Sequence, residues 1–176
     1  MEFKFDANQP YQRDAIASVV DLFEGQSADA YALETKRQSI IPAPGGQQAL
    51  DVAVEVGALG NNLLLDDAAL LQNLQAVQDR NGLEVASELA DGALDFDIEM
   101  ETGTGKTYVY LRTIFELAQK YNFRKFVILV PSTPIKEGVT TSIQLMTKHF
   151  QDLYAEPFDA TVYSGSSAEE VQSFAT

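Results

Sequence analysis

The chain of 176 residues can hold one ordinary core with an embedded subdomain, and its 45% apolar and 22% charged composition is that of a globular protein. Lys and Arg total 12 against 26 acids, a net charge of −14 that by itself repels nucleic acid; the absence of cysteine excludes disulfide staples and thiolate metal sites. No apolar run reaches the roughly 18 residues of a membrane span, and the acidic N-terminus lacks the basic and apolar regions of a signal peptide, so a soluble, cytoplasmic protein is expected.

Residues 9–23 place Ile16, Val19, Val20 and Phe23 at helical spacing behind Pro10, which suits a first helical turn, and the pattern stops near Gly25. Residues 26–46 are irregular and end in the breaker run Pro42-Ala43-Pro44-Gly45-Gly46, which predicts a loop. A helix is predicted over 66–80, capped by Asp66 or Asp67, with Leu70, Leu71, Leu74 and Val77 on one face and Asn81-Gly82 as the left-handed stop. A second short helix is predicted over 84–91, closed by Gly92. Half of the acidic excess lies in this middle stretch: the net charge is −3 over 1–24, −7 over 25–92 and −4 over 93–176.

The texture changes at Asp95. Phe96, Ile98 and Met100 alternate with acids, the period of a strand with one apolar face. A loop over 102–105 leads into a helix predicted over 106–120, whose Val109, Leu111, Ile114, Phe115, Leu117 and Ala118 leave little of its surface polar. The unbroken run 126–130 reads as a strand covered on both faces. A helix over 134–154 follows, with Ile135, Val139, Ile143, Leu145, Met146 and Phe150 inward, then a strand over 160–163 and a polar helical stretch over 167–175. This alternation predicts an α/β fold with a parallel sheet.

Residues 100–107 read METGTGKT between a predicted strand and a predicted helix, the context in which a glycine pattern becomes a phosphate site. Gly103 and Gly105 can adopt positive φ and bring backbone N–H groups close to phosphate oxygens, and the free N–H groups of the helix start add positive potential. Thr102, Gly103, Thr104, Gly105, Lys106 and Thr107 are therefore expected to hold the phosphates of ATP or a close relative. Lys106 would reach the β- and γ-phosphates and the Thr107 hydroxyl would ligate Mg²⁺. Met100 stands where the strict pattern has glycine. Glu99 and Glu101 are read as facing solvent or a partner. The acid pair Asp66-Asp67 precedes the loop and is read as a helix cap, leaving the acidic Mg²⁺ partner of such sites unassigned.

PYQRDAI at 10–16, METGTGKT at 100–107 and VILVPS at 127–132 together resemble three successive motifs of superfamily 2 helicases and translocases. METGTGKTYVYLRTIFELAQKY, KFVILVPS and PIKEGV are closer still to the restriction (Res) subunit of type III restriction-modification enzymes, a resemblance that covers essentially the whole chain. It implies an incomplete RecA-like P-loop domain, with a parallel sheet covered by helices on both faces and an acidic, mainly helical insertion. The divisions are 1–24 for the adenine-motif helix, 25–92 for the insertion and 93–176 for the P-loop core. In the whole protein it implies an ATP-dependent DNA translocase and endonuclease partnered by DNA and a modification methyltransferase subunit, with ATP and Mg²⁺ as cofactors. The acidic motor motif, second motor domain and nuclease would lie beyond Thr176, so these residues alone would hydrolyse ATP negligibly.

Residue by residue, the resemblance makes Gln12 the adenine-reading glutamine, with Tyr11 beside the base, and Lys106 and Thr107 the catalytic phosphate-loop pair. It makes Ser132, Thr133 and Lys136 candidates for contacts to the nucleic-acid backbone, as at Ser164-Gly165; Ser132 or Thr133 serves equally well as an ordinary helix cap. Gln12 and Lys106 lie 94 positions apart, wider than usual in helicases, which is why 25–92 reads as an insertion. His149, alone on its helix, reads as a surface residue. Two other classes remain open: a complete small P-loop phosphotransferase, and a non-enzymatic nucleotide-binding module whose acidic segment docks another subunit.

Overall fold

The structure is a computed structural model that describes residues 5–28, 61–90, 94–155, 158 and 160–163. Of the loop expected over 26–46 only 26–28 are described, without helix or strand; its remainder, the turn at Ser164-Gly165 and the helix over 167–175 lie outside those residues. Helix α1, Pro10–Val20, begins with proline in its first turn as expected, but the predicted helical run does not continue unchanged to Phe23. Asp21–Phe23 tightens into a 3-10 turn, and Gly25, at φ 87°, reverses the chain. Ile16 and Val20 face inward at helical spacing, and Gln12, a polar residue, is buried beside them.

Helix α2, Asp67–Arg80, is capped by Asp66, whose Oδ1 accepts from the Ala69 N–H at 2.9 Å. It stops at Asn81-Gly82, with Gly82 left-handed at φ 67°. Polar side chains dock it onto the end of α1. Asn73 Nδ2 donates to the carbonyls of Leu22 and Glu24 at 3.0 and 2.9 Å, and Arg80 pairs with Asp21 at 2.7 Å. The helix expected over 84–91 does not form in its described part, 84–90. A side chain of α2 takes a backbone group that it would have needed: Gln75 Nε2 donates to the Ala86 carbonyl at 2.8 Å, and Gln78 Oε1 further anchors the segment by accepting from the Ala86 N–H at 2.9 Å. So short a segment has too few intrahelical bonds to outcompete them.

Helix α3, Lys106–Tyr121, is apolar nearly all round because it is packed on both sides. Val109, Leu117 and Tyr121 join Ile16 and Val20 of α1 in one core, against which Met100, Phe123 and Phe126 also pack. Tyr108, Leu111 and Phe115 join Met146, Phe150 and Tyr154 in a second core. Those last three residues belong to helix α4, Thr133–Tyr154. Aromatic stacking organises this second core: Phe115 lies 4.9 Å from Phe150 at 27° and 5.1 Å from Tyr154 at 9°, centroid to centroid, and Phe158 meets it edge-on at 5.2 Å. Only the C-terminal half of α4 is inward. Met146 and Phe150 are buried as expected, Ile143 packs at the edge, and Ile135 and Leu145 are each 48% exposed, contrary to the sequence reading.

No strand is formed among the described residues, so the parallel sheet expected from 95–101, 126–130 and 160–163 is not seen. A strand exists through the ladder bonds of a neighbour, and these segments have none here. Their apolar side chains lie correspondingly open: Val127 is 71% and Leu129 90% exposed, where a run covered on both faces was expected. An apolar trough of about 320 Å³ separates them from the helices, lined by Val19, Ile98, Val109, Tyr110, Phe126 and Ile128. The Tyr110 hydroxyl is buried without a hydrogen-bond partner among the described residues. Among the described residues no helix is long and apolar enough to cross a membrane.

Candidate functional site

The glycine loop is a tight turn between the segment ending at Glu101 and the first residue of α3. Gly103 and Gly105 have φ of 84° and 86°, a left-handed backbone that costs other L-residues about 1–2 kcal/mol. Thr104 Oγ1 donates to the Glu101 carbonyl at 2.7 Å and braces the turn from within. Gly105 occupies the N-cap position of α3 and offers no capping side chain, and the first turn of α3 carries no acid. The leading N–H groups of α3 are therefore open to an anion, and the helix dipole favours negative charge at that point.

Gln12 reaches the turn from α1. It is 9% exposed, and its Nε2 donates to the Thr104 carbonyl at 2.9 Å. Its amide also lies so close that a Cβ on Gly105 would stand 2.7 Å from Nε2, whereas a Cβ on Gly103 would meet nothing within 4 Å. One face of the loop is thus held against α1 and the other is open. Lys106 is exposed and lines a cavity of about 580 Å³ together with Ile98, Glu99, Met100 and Glu101. Thr107, next in the helix, is half-buried. The two glutamates share the cavity with Lys106, and both are exposed, as expected of them.

The structure brings together Gln12, Thr102, Gly103, Thr104, Gly105, Lys106 and Thr107, and it leaves Tyr11, beside Gln12 on α1, 48% exposed. Ser132 and Thr133 sit apart from this loop in the chain, at the start of α4. Both are exposed, and Ser132 holds the N-cap position without making a side-chain capping bond. Lys136, one turn in, is half-buried. His149 departs from the sequence reading. It is half-buried among aromatic rings, with Nε2 3.1 Å from the Tyr108 hydroxyl, and burial lowers its pKa from the ordinary histidine value, with the nearby Arg112 acting in the same direction. Tyr108 and His149 lie 41 positions apart, and nothing in the local pattern of either announces the pair.

A left-handed glycine turn followed directly by lysine and threonine at an uncapped helix start fits a nucleotide phosphate chain with its Mg²⁺. The family described as type III restriction enzyme, res subunit, matches residues 61–173, which include this turn and the whole of α2, α3 and α4. The chain belongs to that family. Among Res subunits, it is 29% identical over 155 residues to the type III restriction-modification enzyme EcoPI Res subunit of Escherichia phage P1, and 28% identical over 155 residues to the EcoP15I Res subunit of Escherichia coli. Each comparison covers 86% of this chain and 14% of the relative. The StyLTI Res subunit of Salmonella typhimurium is 41% identical over 86 residues, 48% of this chain and 9% of that protein. The chain thus spans about one seventh of the length of the first two Res subunits. No solved structure matches it significantly.

Proposed function

We propose that residues 102–107 bind the phosphates of ATP with Mg²⁺, and that the chain supplies this half-site to an ATP-driven type III restriction subunit that moves on DNA and cleaves it. The observation that carries this reading is the loop: two left-handed glycines at an uncapped helix start, braced by Gln12, with Lys106 facing an open cavity. When bound, Mg²⁺ would offset the negative charge of the phosphate chain. The backbone N–H groups of 103–107 orient the phosphates, Lys106 supplies the positive charge, and Thr107 offers its hydroxyl to the metal. Gln12 retains its Oε1 and a second amide hydrogen for adenine after bonding Thr104. Ser132, Thr133 and Lys136 contact the nucleic-acid backbone, and a methyltransferase subunit supplies sequence recognition. The segment 25–92 is an insertion between the adenine-motif helix of 1–24 and the P-loop core of 93–176. The chain alone hydrolyses ATP negligibly, because no apolar strand ending in an Asp-Glu pair follows the loop.

Calorimetric titration with Mg-ATP tests the phosphate site. Replacing Lys106 with alanine removes a charged hydrogen bond worth about 1.5–3 kcal/mol, so affinity should fall by about 10- to 150-fold. Equal binding by wild type and Lys106→Ala would sink the assignment.

We further infer that 96–100 and 126–130 are strands of a parallel RecA-like sheet whose neighbouring strands cover the open faces of Val127 and Leu129. The apolar trough beside them and the unpartnered Tyr110 hydroxyl support this reading. In a Res subunit carrying this chain, the amides of 126–130 should exchange with solvent far more slowly than those of an unstructured peptide. Peptide-like exchange rates there would rule the strand out.

A further inference from the structure

The second core holds two polar groups that its packing does not need. Phenylalanine or leucine would fill the places of Tyr108 and His149 among Phe5, Phe115 and Phe150, yet the chain puts a hydroxyl and an imidazole there and joins them at 3.1 Å. Tyr108 follows Thr107 directly, within the first turn of α3, and is 6% exposed. Its ring stacks on Phe150 of α4 at 5.5 Å and 29°. The hydroxyl and Nε2 meet directly, and the imidazole tautomer sets which of the two donates.

A second tie lies one turn further along α3. Arg112 Nε donates to the Tyr154 hydroxyl at 3.0 Å, Tyr154 donates to Glu116 Oε1 at 2.6 Å, and an Arg112 guanidinium nitrogen donates to the Ala7 carbonyl at 2.6 Å. On the opposite side, Gln12 holds the Thr104 carbonyl. The start of α3 is therefore clamped between α1 and α4. Mg²⁺ accepts oxygen ligands only near about 2.0–2.1 Å in octahedral geometry, so a small rotation of this first turn would take the Thr107 hydroxyl out of reach.

We propose that His149 and Tyr108 are positioning residues for the phosphate site: their hydrogen bond fixes the first turn of α3 so that Thr107 meets a nucleotide-bound Mg²⁺. The proposal rests on reading 102–107 as that site. Its signature is a larger effect with the metal than without it, because the Thr107 hydroxyl must meet a narrow coordination distance while Lys106 and the N–H groups of 103–107 hold the phosphates with wider tolerance.

The test is calorimetric titration of the chain with ADP, once with Mg²⁺ and once with EDTA, for wild type, His149→Ala, His149→Gln, Tyr108→Phe and Lys106→Ala. His149→Ala and Tyr108→Phe should weaken Mg-ADP binding by about 10- to 100-fold, the range for loss of an outer-shell partner, and weaken metal-free ADP binding far less. His149→Gln, whose amide offers both a donor and an acceptor at similar reach, should recover most of the loss. Tyr108→Phe keeps the ring and the packing, so it gives the result even if His149→Ala fails to fold. Equal weakening with and without Mg²⁺, or unchanged Mg-ADP affinity, in a protein whose binding still depends on Lys106, overturns the positioning role alone. Wild-type binding by Lys106→Ala overturns the phosphate site and this proposal with it.

Discussion

Replacing Phe150 with alanine should cost about 3–5 kcal/mol of stability, the range for removing a large buried aromatic and leaving a cavity. Phe150 is 1% exposed and lies at the centre of the α3–α4 core, with the rings of Tyr108, Phe115, His149 and Tyr154 around it at centroid distances of 4.9–6.4 Å. No neighbour can collapse into its place without breaking the stacks it shares. Leu145, on the same helix, is 48% exposed, and Leu145→Ala should change stability by no more than about 0.5 kcal/mol. Urea unfolding of the two variants beside wild type separates them. Similar losses from both would mean that α4 buries the wider face that its apolar pattern suggests, and that the described packing is wrong.

Gly105→Ala should lose more stability than Gly103→Ala, although both glycines have nearly the same φ. The left-handed backbone costs alanine about 1–2 kcal/mol at either position. At Gly105 the new methyl would also stand 2.7 Å from Gln12 Nε2, displacing an amide that is buried and bonded to Thr104, for about another 0.5–1.5 kcal/mol. At Gly103 there is open space. The Gln12 contribution can be isolated by a double-mutant cycle. In a Gln12→Ala background the displaced amide is already gone, so Gly105→Ala should cost only its backbone share there, and the two mutations should be non-additive. Thermal or urea unfolding of the four proteins reads this directly. Strict additivity would mean that the Gln12 amide does not press on the loop.

The helices were legible from sequence where a signal lay within one or two turns. Pro10 opens α1, Asp66 caps α2, Asn81-Gly82 stops it, and the lysine after Gly105 starts α3; each acts through bonds to residues at most five positions away. The helix expected over 84–91 failed for the opposite reason. Its turn and apolar signals are local, but the competing bond comes from Gln75, with Gln78 as a second anchor, both on the helix before it. On α4 the apolar pattern was read correctly, yet α3 covers only its C-terminal half, so Ile135 and Leu145 stay open while Phe150 is sealed.

The glycine turn, its flanking helix and the family resemblance followed from the order of residues alone, because a glycine turn feeding a helix start is a local backbone property and the long flanking runs are specific. Tertiary structure decided which side of that loop is closed and which is open. Gln12 meets Thr104 across 92 positions, and His149 meets Tyr108 across 41, contacts set by how α1 and α4 pack against α3 and by no short-range preference. Packing also decided that a histidine with no visible partner in the sequence lies half-buried among aromatic rings, bonded to the tyrosine that follows the threonine expected to hold the metal.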